Sequence, residues 1–363
     1  MKIVYVITAL VYGGAEKLLV NTCNLMASTN DITVCYLKDE PRLANLFDSR
    51  IKIIKVPFGL RSIPFLRRLY KRIKPDVIHT HCPHADFLGL FAATGLKIKK
   101  FTTIHNIWIK WNWNDNIIFY FYRFLLHSLV SECRIIAISS AIKEHLVNRI
   151  NIPEYRIHLE YNCIPDLILT QSKEGLRLKL GIKIDDYCML FIGRLEQQKS
   201  VDTLIKATET LKATIPNIRT IIIGHGRLKD SLIRQAQSLN IASMISFIQP
   251  VVNPEEYYAA ADVFVLPSIY EGFGIVILEA FRAGLPVVAT NIEGPLELIQ
   301  SEVNGLLFKP KDYQALADHI FRLYNDPLFA RRIGIAGREK YLGKYDIVNY
   351  VRRLTNIYTS MNQ

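Results

Sequence analysis

The stretch from Val263 to Glu279 reads Val-Phe-Val-Leu-Pro-Ser-Ile-Tyr-Glu-Gly-Phe-Gly-Ile-Val-Ile-Leu-Glu. Its first four residues, Val263–Leu266, form a continuous apolar run, as a strand buried on both faces of a parallel sheet requires. Gly272 and Gly274 then let the backbone approach a ligand closely, and a following helix offers its free N–H groups and positive dipole end to an anion. Strand, glycine turn and helix in this order predict a parallel α/β sheet.

Two glutamates frame the glycine turn, Glu271 before it and Glu279 two helical turns further on. A carboxylate placed like Glu279 can hold ribose hydroxyls, as acidic residues do in dinucleotide-binding folds. The alternative is a strand, turn and helix that carry two solvated glutamates. The stretch alone leaves both interpretations open.

The same alternation extends outward over the whole chain and predicts two doubly wound sheets in tandem. The predicted strands of the second sheet are Cys188–Ile192, Arg219–Ile223, Ile245–Ile248, Val263–Leu266 and Pro286–Ala289, with helices Val201–Leu211 and Leu228–Ser238. Those of the first are Lys2–Ile7, Ile32–Leu37, Asp76–His79, Phe101–Ile104 and Ile135–Ala137. A helix is predicted over Ala15–Ala27 with Leu18, Leu19, Thr22 and Leu25 facing inward, and the stretch Arg331–Tyr358 is predicted to be helical.

The length of 363 residues also favours two domains, because single cores stop growing at roughly 250–300 residues. A polar segment after Asp166, from Thr170 to Gly175, is the predicted linker. Such sheets bind ligands outside the carboxyl ends of their strands, and two facing sheets make a cleft between domains.

Two cations follow the predicted strand Cys188–Ile192, namely Arg194 in Gly193-Arg-Leu195 and Lys199. Arginine grips phosphate oxygens bidentately and lysine adds a point charge, so together with the Glu271 turn they predict a diphosphate site. The plain alternative is two surface cations. Gly13-Gly14 and Gly224-His-Gly226 are weaker signals of the same kind, since many glycine turns are only turns.

Three histidines fall at or after predicted strand ends, where catalytic groups project in open α/β sheets. They are His79, His81 and His105. His105 is the best candidate to touch a substrate. A lone histidine is more often a packed structural residue, and that interpretation is favoured for His79 and His81.

In combination these residues resemble the retaining glycosyltransferases of family 4, with Arg194 and Lys199 followed by Glu271 and Glu279. The resemblance covers essentially all of the chain. Its further motifs are Gly13-Gly-Ala-Glu16, Pro75-Asp-Val-Ile-His-Thr-His81, Asn162 before Ile164-Pro165, Gly284-Leu-Pro-Val-Val-Ala-Thr290 and Asn304-Gly-Leu306. It implies a GT-B fold, in which two Rossmann-like domains face a cleft. Residues 1–166 would bind the acceptor, residues 167–340 the nucleotide-sugar, and a helix in 341–363 would cross back to the first domain.

The resemblance also implies roles for single residues. Arg194 and Lys199 would bind the donor diphosphate, Glu279 the ribose, and Glu271 the sugar or phosphate side. His105 matches the histidine that approaches the reacting carbon, which makes His105 and Glu271 the predicted catalytic residues. The other predicted donor contacts are Gly14, Gly224, Phe273, Gly274 and Ile275. Ser200 stands where the family commonly has glycine, a departure that predicts a differently shaped turn beside Lys199.

Two patches of the first half combine cations with apolar residues. Residues 61–74 have Phe65, Leu66, Leu69, Tyr70 and Ile73 on one helical face and Arg67, Arg68 and Lys71 among the surrounding cations. Residues 108–124 begin with Trp108, Trp111 and Trp113, the three tryptophans of the protein. Basic amphipathic helices and interfacial aromatics are how proteins lie on anionic bilayers. Residues 61–74 fit a crossover helix packed on the sheet equally well, whereas residues 108–124 favour a membrane or a lipid acceptor.

The net charge of +12 is uneven, with 22 Lys/Arg against 13 Asp/Glu in residues 1–166 and 23 against 20 in the remainder. A basic half attracts anionic lipid, nucleic acid or phosphorylated ligands. No apolar run reaches the roughly 20 residues of a membrane span. Family members often use lipid-linked acceptors, so we expect a cytoplasmic protein bound peripherally to the inner face of the cytoplasmic membrane, with no nucleic acid partner.

The expected activity is transfer of a sugar, with retention, from a nucleotide-sugar to a polyprenyl-diphosphate-linked glycan in bacterial capsule or O-antigen synthesis. Fixed cations and helix N-termini can stabilise the leaving diphosphate. The chain contains no Asp-x-Asp pair, so neither a metal nor a cofactor is expected. The alternatives are a nucleotide-sugar epimerase of the same fold and a non-enzymatic protein that binds lipid surfaces or nucleic acid.

Overall fold

The computed structural model describes residues 1–11, 13–105, 133–166, 171–251 and 253–360. It divides the chain into two compact units, Met1–Pro165 with Ile347–Gln363, and Asp166–Asp346. The sequence placed the first boundary after residue 166 and the returning segment at 341. Each unit contains one parallel sheet, as the alternation of strands and helices predicts.

The described part of the first unit forms a seven-stranded sheet in the order β3-β2-β1-β4-β5-β6-β7. Its strands are β1 (Lys2–Ala9), β2 (Asp31–Lys38), β3 (Lys52–Lys55), β4 (Val77–His81), β5 (Lys99–Ile104), β6 (Cys133–Ala137) and β7 (Ile157–Leu159). Its helices are α1 (Gly14–Met26), α2 (Ser62–Ile73), α3 (Pro83–Ala92) and α4 (Ser140–Asn148). α1 packs in the core on one face of the sheet, and α2 and α3 pack in the core on the other.

The described part of the second unit forms a six-stranded sheet in the order β10-β9-β8-β11-β12-β13. Its strands are β8 (Tyr187–Ile192), β9 (Ile218–Ile223), β10 (Ile245–Ile248), β11 (Val263–Leu266), β12 (Val287–Thr290) and β13 (Leu306–Phe308). Its helices are α5 (Lys173–Leu180), α6 (Val201–Leu211), α7 (Lys229–Ser238), α8 (Glu255–Ala260), α9 (Ile275–Arg282), α10 (Glu293–Leu298), α11 (Tyr313–Asn325) and α12 (Pro327–Lys344). The strand order reverses between β8 and β11, the position where open α/β sheets bind ligands.

The predicted inward face of α1 is correct at Leu18, Leu19 and Thr22 and wrong at Leu25. Leu25 is 42% exposed. Cys23 and Met26 fill the buried positions at this end of the helix, and the Met26 sulfur accepts a hydrogen bond from the Tyr5 hydroxyl at 3.4 Å.

Helix α2 is a crossover helix packed on the sheet, the second of the two interpretations of residues 61–74. Leu66, Leu69 and Tyr70 are buried in the core beneath it. The Arg67 guanidinium donates to the carbonyls of Ala92 at 3.2 Å and Thr94 at 2.8 Å, so it holds α2 against the end of α3. Arg68 and Lys71 are exposed. Trp108, Trp111 and Trp113 lie outside the described residues.

The helical prediction for Arg331–Tyr358 is confirmed except at Tyr345 and Asp346, where the stretch is interrupted. α12 ends at Lys344, and α13 (Ile347–Thr359) belongs to the first unit. There Tyr350, Leu354 and Tyr358 are buried on the core face that includes α1. In the part of the chain that the structure describes, no helix has the length and apolar character to cross a bilayer.

Candidate functional site

The Val263–Glu279 stretch folds as the sequence predicts, with β11 followed by a turn and by α9. Gly274 caps the N-terminus of α9 in a left-handed conformation, with φ 87° and ψ 57°. This conformation is open to glycine and costly for a residue with a Cβ atom. α9 therefore begins at Ile275 with its N-terminal N–H groups at the carboxyl edge of the sheet, where an anion can accept from them.

Lys199 and Glu271 form a buried ion pair at this edge. The Lys199 ammonium contacts Glu271 Oε1, and the two side chains are only 12% and 9% exposed. Ser268 Oγ donates to the same carboxylate oxygen at 2.7 Å, and the Ser268 carbonyl accepts from Thr290 Oγ1 at 2.7 Å. The carboxylate is thus held by side chains that follow β8 and β11, and Thr290 at the end of β12 supports Ser268.

Arg194 lies in the loop after β8 and is exposed. Its guanidinium donates to Gln198 Oε1 at 3.1 Å, which leaves further N–H groups of the fork for another acceptor. Gln198 Nε2 donates to the Tyr270 carbonyl at 2.9 Å, and the Gln198 carbonyl accepts from Ile269 N–H at 2.8 Å. Gln198 therefore joins the cation loop to the glycine turn. No local pattern marks this role in the sequence, although Gln198 lies between the predicted Arg194 and Lys199.

The turn at Ser200 keeps the conformation that glycine adopts readily, with φ 46°. Its hydroxyl donates to Asp202 Oδ1 at 3.1 Å and lies 3.0 Å from Thr203 Oγ1, so it bonds to side chains of the first turn of α6. With serine instead of glycine at position 200, Lys199 still lies beside Glu271.

Glu279 is buried, at 8% exposure, in the second turn of α9. Its Oε2 accepts a 2.7 Å hydrogen bond from the buried Tyr258 hydroxyl. Burial and the neighbouring Glu279 carboxylate raise the pKa of Tyr258 well above its usual value, so this hydroxyl stays a donor. Tyr258 was not predicted, since its spacing from Glu279 follows no local rule.

The loops that follow β8 and β9 are in close backbone contact. A Cβ atom added to Gly224 would lie 1.9 Å from the Gly193 carbonyl oxygen. One added to Gly226 would lie 2.4 Å from the Leu195 carbonyl oxygen, and Leu195 N–H donates to the His225 carbonyl at 2.7 Å. The predicted tight turn at Gly224-His-Gly226 thus supports the loop that carries Arg194.

Two further predicted donor contacts, Phe273 and Gly14, lie in different units of the chain. Phe273 is buried, and its ring lies 5.9 Å from that of Tyr345, centroid to centroid. Gly14 is the first residue of α1 and belongs to the first unit.

Three histidines form a connected cluster at the carboxyl ends of β4 and β5 in the first unit. His79 uses both ring nitrogens, with Nδ1 2.5 Å from the Tyr358 hydroxyl and Nε2 2.7 Å from Thr103 Oγ1. His81 Nδ1 lies 2.9 Å from His105 Nε2, and the two rings are stacked. His81 Nε2 and His105 Nδ1 are buried, and neither has a hydrogen-bond partner among the residues that the structure describes. Tyr358 was not predicted, because α13 brings it from 279 residues away.

All three histidines are neutral near pH 7. Burial lowers the pKa of His79 to about 3 and that of His105 to about 4. Burial and the neighbouring imidazoles lower the pKa of His81 well below its usual value. Each ring therefore has one N–H donor and one bare nitrogen, and only one of His81 and His105 donates to the other.

We predict that the protein loses stability as the pH falls below about 6.5, the ordinary pKa of histidine. The unfolded chain then binds protons that folded His79 and His105 exclude, so unfolding becomes more favourable. By pH 5 each of these two residues is expected to lower the free energy of unfolding by about 2 kcal/mol. Urea unfolding at pH 7.5 and pH 5 measures this. His105→Asn should show a smaller loss, and equal stability of the wild type at both pH values would contradict the prediction.

Among the described residues, no group of three or more His, Cys, Asp or Glu side chains is placed to hold a metal ion. Arg194, Lys199 and Glu271 lie in the loops at the carboxyl edge of the second sheet.

Two family models match the chain, one in each half. Residues 172–340 match the family model described as glycosyl transferases group 1. Residues 12–166 match the model described as glycosyltransferase family 4.

Two curated relatives and one solved structure illustrate the likeness. An uncharacterized glycosyltransferase of Methanocaldococcus jannaschii is 32% identical over 64% of this chain, and the match spans 61% of that relative. The Escherichia coli UDP-Gal:α-D-GlcNAc-diphosphoundecaprenol α-1,3-galactosyltransferase is 24% identical over 93% of this chain and 89% of its own length. The crystal structure of Anabaena HepE with UDP-glucose has a TM-score of 0.86 at 21% identity, and covers 99% of this chain and 100% of its own.

Proposed function

This chain belongs to the group 1 glycosyltransferases with the GT-B fold, and we propose that it transfers a sugar, with retention, from a nucleotide-sugar to a lipid-linked glycan. The observation that carries this proposal is the group of Arg194, Lys199 and Glu271 beside the N-terminus of α9. A nucleoside diphosphate leaves with negative charge, and preorganised cations and N–H groups stabilise such charge as it develops. The UDP-glucose complex of the Anabaena structure supports a nucleotide-sugar donor.

In this mechanism Arg194 and Lys199 bind the diphosphate, and Glu279 binds ribose hydroxyls. Glu271 fixes the Lys199 ammonium and contacts the sugar or phosphate side, while Phe273, Gly274 and Ile275 offer backbone groups. Gly224 holds the Arg194 loop, and Gly14 supplies a flexible turn at the start of α1. No metal or cofactor enters the proposal, because the side chains and the helix terminus can carry the developing charge themselves.

His105 is the proposed contact to the transferred sugar near its reacting carbon. Its imidazole is neutral, its Nε2 is bonded to His81, and its buried Nδ1 has no partner within the described part of the chain. Such a nitrogen can exchange a hydrogen bond with a sugar hydroxyl without bringing a second positive charge to an oxocarbenium-like transition state.

The proposed acceptor is a polyprenyl-diphosphate-linked glycan of capsule or O-antigen synthesis at the cytoplasmic face of the membrane. The E. coli relative, named for a diphosphoundecaprenol-linked substrate, supports this acceptor class. The exposed Arg68 and Lys71 of α2 offer positive charge to an anionic membrane surface, whereas Arg67 is engaged with α3. The membrane role predicted for Trp108, Trp111 and Trp113 stays a prediction.

The test is to incubate the protein with candidate nucleotide-sugars and a bacterial lipid extract. We expect nucleotide release that requires the extract, and sugar that appears in the lipid fraction. An epimerised donor without acceptor would favour the epimerase alternative, and binding of lipid without any nucleotide release would favour a non-enzymatic protein.

The ribose contact gives a separate prediction about Tyr258 and Glu279. Glu279→Gln is expected to weaken nucleoside diphosphate binding roughly 10- to 100-fold, because a hydrogen bond to a charged group contributes about 1.5–3 kcal/mol. Tyr258→Phe should also weaken binding, but less, because it removes only the hydroxyl that positions the Glu279 carboxylate. Calorimetry with ribose and 2′,3′-dideoxyribose nucleotides measures this.

The wild type should prefer the ribose form, and Glu279→Gln should lose that preference. Glu339→Gln, an exposed residue of α12, is the matched control and should keep it. A Glu279→Gln variant with the wild-type preference would remove Glu279 from the ribose site.

A further inference from the structure

The loop between β3 and α2 presents two exposed apolar side chains at a tight turn. Phe58 is 49% exposed and Leu60 is 75% exposed. Between them Gly59 has φ 87°, and a Cβ atom added to it would meet no atom within 4 Å. The turn is held at its base, because Ser62 N–H donates to the Gly59 carbonyl at 2.9 Å and Ser62 Oγ donates to the Pro57 carbonyl. Neighbouring exposed apolar side chains point to a partner surface when polar or charged residues rim them, so the charge around this tip decides what it fits.

Cations surround this tip. Lys38 Nζ lies 4.3 Å from the centroid of the Phe58 ring, and Arg61 is exposed next to Leu60. The exposed face of α2 continues the positive charge through Arg68, Lys71 and Arg72. The acidic neighbours are Asp39 and Glu40, and Glu40 pairs with Lys55 at 3.6 Å.

The sequence around the tip is also predominantly basic. Residues 51–100 contain 11 Lys/Arg and two Asp/Glu. One of the two acids, Asp86, is buried and accepts hydrogen bonds from Thr80 and Thr102, so its charge does not face the surface. An apolar tip that adjoins a cationic helix face matches the interfacial region of an anionic bilayer.

The tip lies at the same edge of the sheet as the histidine cluster. β3 and β4 belong to one parallel sheet, so both end at its carboxyl edge. The Phe58 ring is 5.7 Å from the His84 ring, and His84 follows His81 by three residues. A membrane at the tip would therefore adjoin the edge that carries His81 and His105.

We propose that Phe58 and Leu60 insert into the interfacial region of an anionic membrane, while Arg61 and the exposed cations of α2 bind its phosphate groups. The proposal rests on the proposed lipid-linked acceptor, and it adds the surface that brings the acceptor-binding unit to the lipid. Apolar burial anchors the tip, and the cations select anionic lipid.

Vesicle flotation tests this with the full chain and vesicles of phosphatidylcholine, with and without phosphatidylglycerol. Phe58→Ser with Leu60→Ser should lower the partition coefficient onto the anionic vesicles roughly tenfold or more, because both side chains lose their burial in lipid. Leu178→Ser is the matched control, because Leu178 is 83% exposed on the second unit, and it should float like the wild type. Arg61→Gln with Arg68→Gln should reduce the preference for anionic vesicles.

Equal flotation of the wild type and the Phe58/Leu60 variant would overturn the proposal. So would a wild type that does not float but forms a dimer that the same substitutions dissociate, since the tip would then bind a second copy. Calorimetric binding of nucleoside diphosphates separates this inference from the proposed function. If the wild type binds nucleotide but floats independently of Phe58 and Leu60, only the membrane anchor is contradicted. If the wild type binds no nucleotide, the proposed enzymatic function is contradicted.

Discussion

Replacing either Lys199 or Glu271 by alanine is expected to reduce sugar transfer about a thousandfold, the scale on which preorganised electrostatic contacts act. Lys199→Ala removes the cation proposed to neutralise the leaving diphosphate. Glu271→Ala removes the carboxylate that fixes this cation and contacts the donor. Turnover is measured as acceptor-dependent nucleotide release at saturating donor. Lys183→Ala, an exposed lysine of the same unit, is the control and should retain full activity.

The loss of turnover in these variants has to be distinguished from a loss caused by unfolding. Because the pair is buried, removing one partner leaves a charge that costs about 3–5 kcal/mol. The double variant Lys199→Met with Glu271→Gln should recover much of this stability, since neither charge remains, and yet stay inactive. Wild-type turnover in a folded single variant, measured beside its circular dichroism spectrum, would remove the pair from the proposed mechanism.

Gly224→Ala is expected to destabilise the second unit by about 3 kcal/mol or more, the range of severe steric substitutions. The new Cβ would lie 1.9 Å from the Gly193 carbonyl oxygen, and this neighbour is backbone that no rotamer change can move. The loops after β8 and β9 would have to separate. Arg194 would move with its loop, so we also expect weaker binding of nucleoside diphosphates.

Urea unfolding and calorimetric nucleotide binding measure the two effects of Gly224→Ala. Gly343→Ala is the matched control, because a Cβ atom there meets nothing within 4 Å and the residue lies in α12. Its stability should be equal to or slightly above that of the wild type, since alanine favours helix. A Gly224→Ala protein with unchanged stability would show that the loops can separate freely.

Much of the fold was predictable because its signals are local. The buried strands of both sheets are apolar runs, and Val201–Leu211, Ile245–Ile248 and Val263–Leu266 were predicted at their observed bounds. The strands β3, β7 and β13 were missed, and each is an outermost described strand of its sheet. β3 carries exposed lysines at both ends, and β7 and β13 have only three residues. Leu25 was misplaced and the break at Tyr345 was missed, because both depend on which neighbours reach the core.

In the candidate site, too, local features were predictable from the sequence and long-range contacts were not. Its cations and glutamates were found from their positions after predicted strands and glycine turns. That Lys199 pairs with Glu271, across 72 residues of sequence, follows from the pairing of β8 with β11. The bond between His81 and His105 likewise follows from the pairing of β4 with β5.

The sequence by itself thus determined the two parallel sheets, the glycine turn before α9 and the residue types that can bind a diphosphate. Periodicity and turn chemistry act between residues a few positions apart, and they are visible in one chain. Only the tertiary structure decided that Tyr258 positions Glu279, that Tyr358 contacts His79, and that the loops of Gly193 and Gly224 touch. These contacts depend on strand order and on the path of the connecting helices, which bring together residues that no local pattern relates.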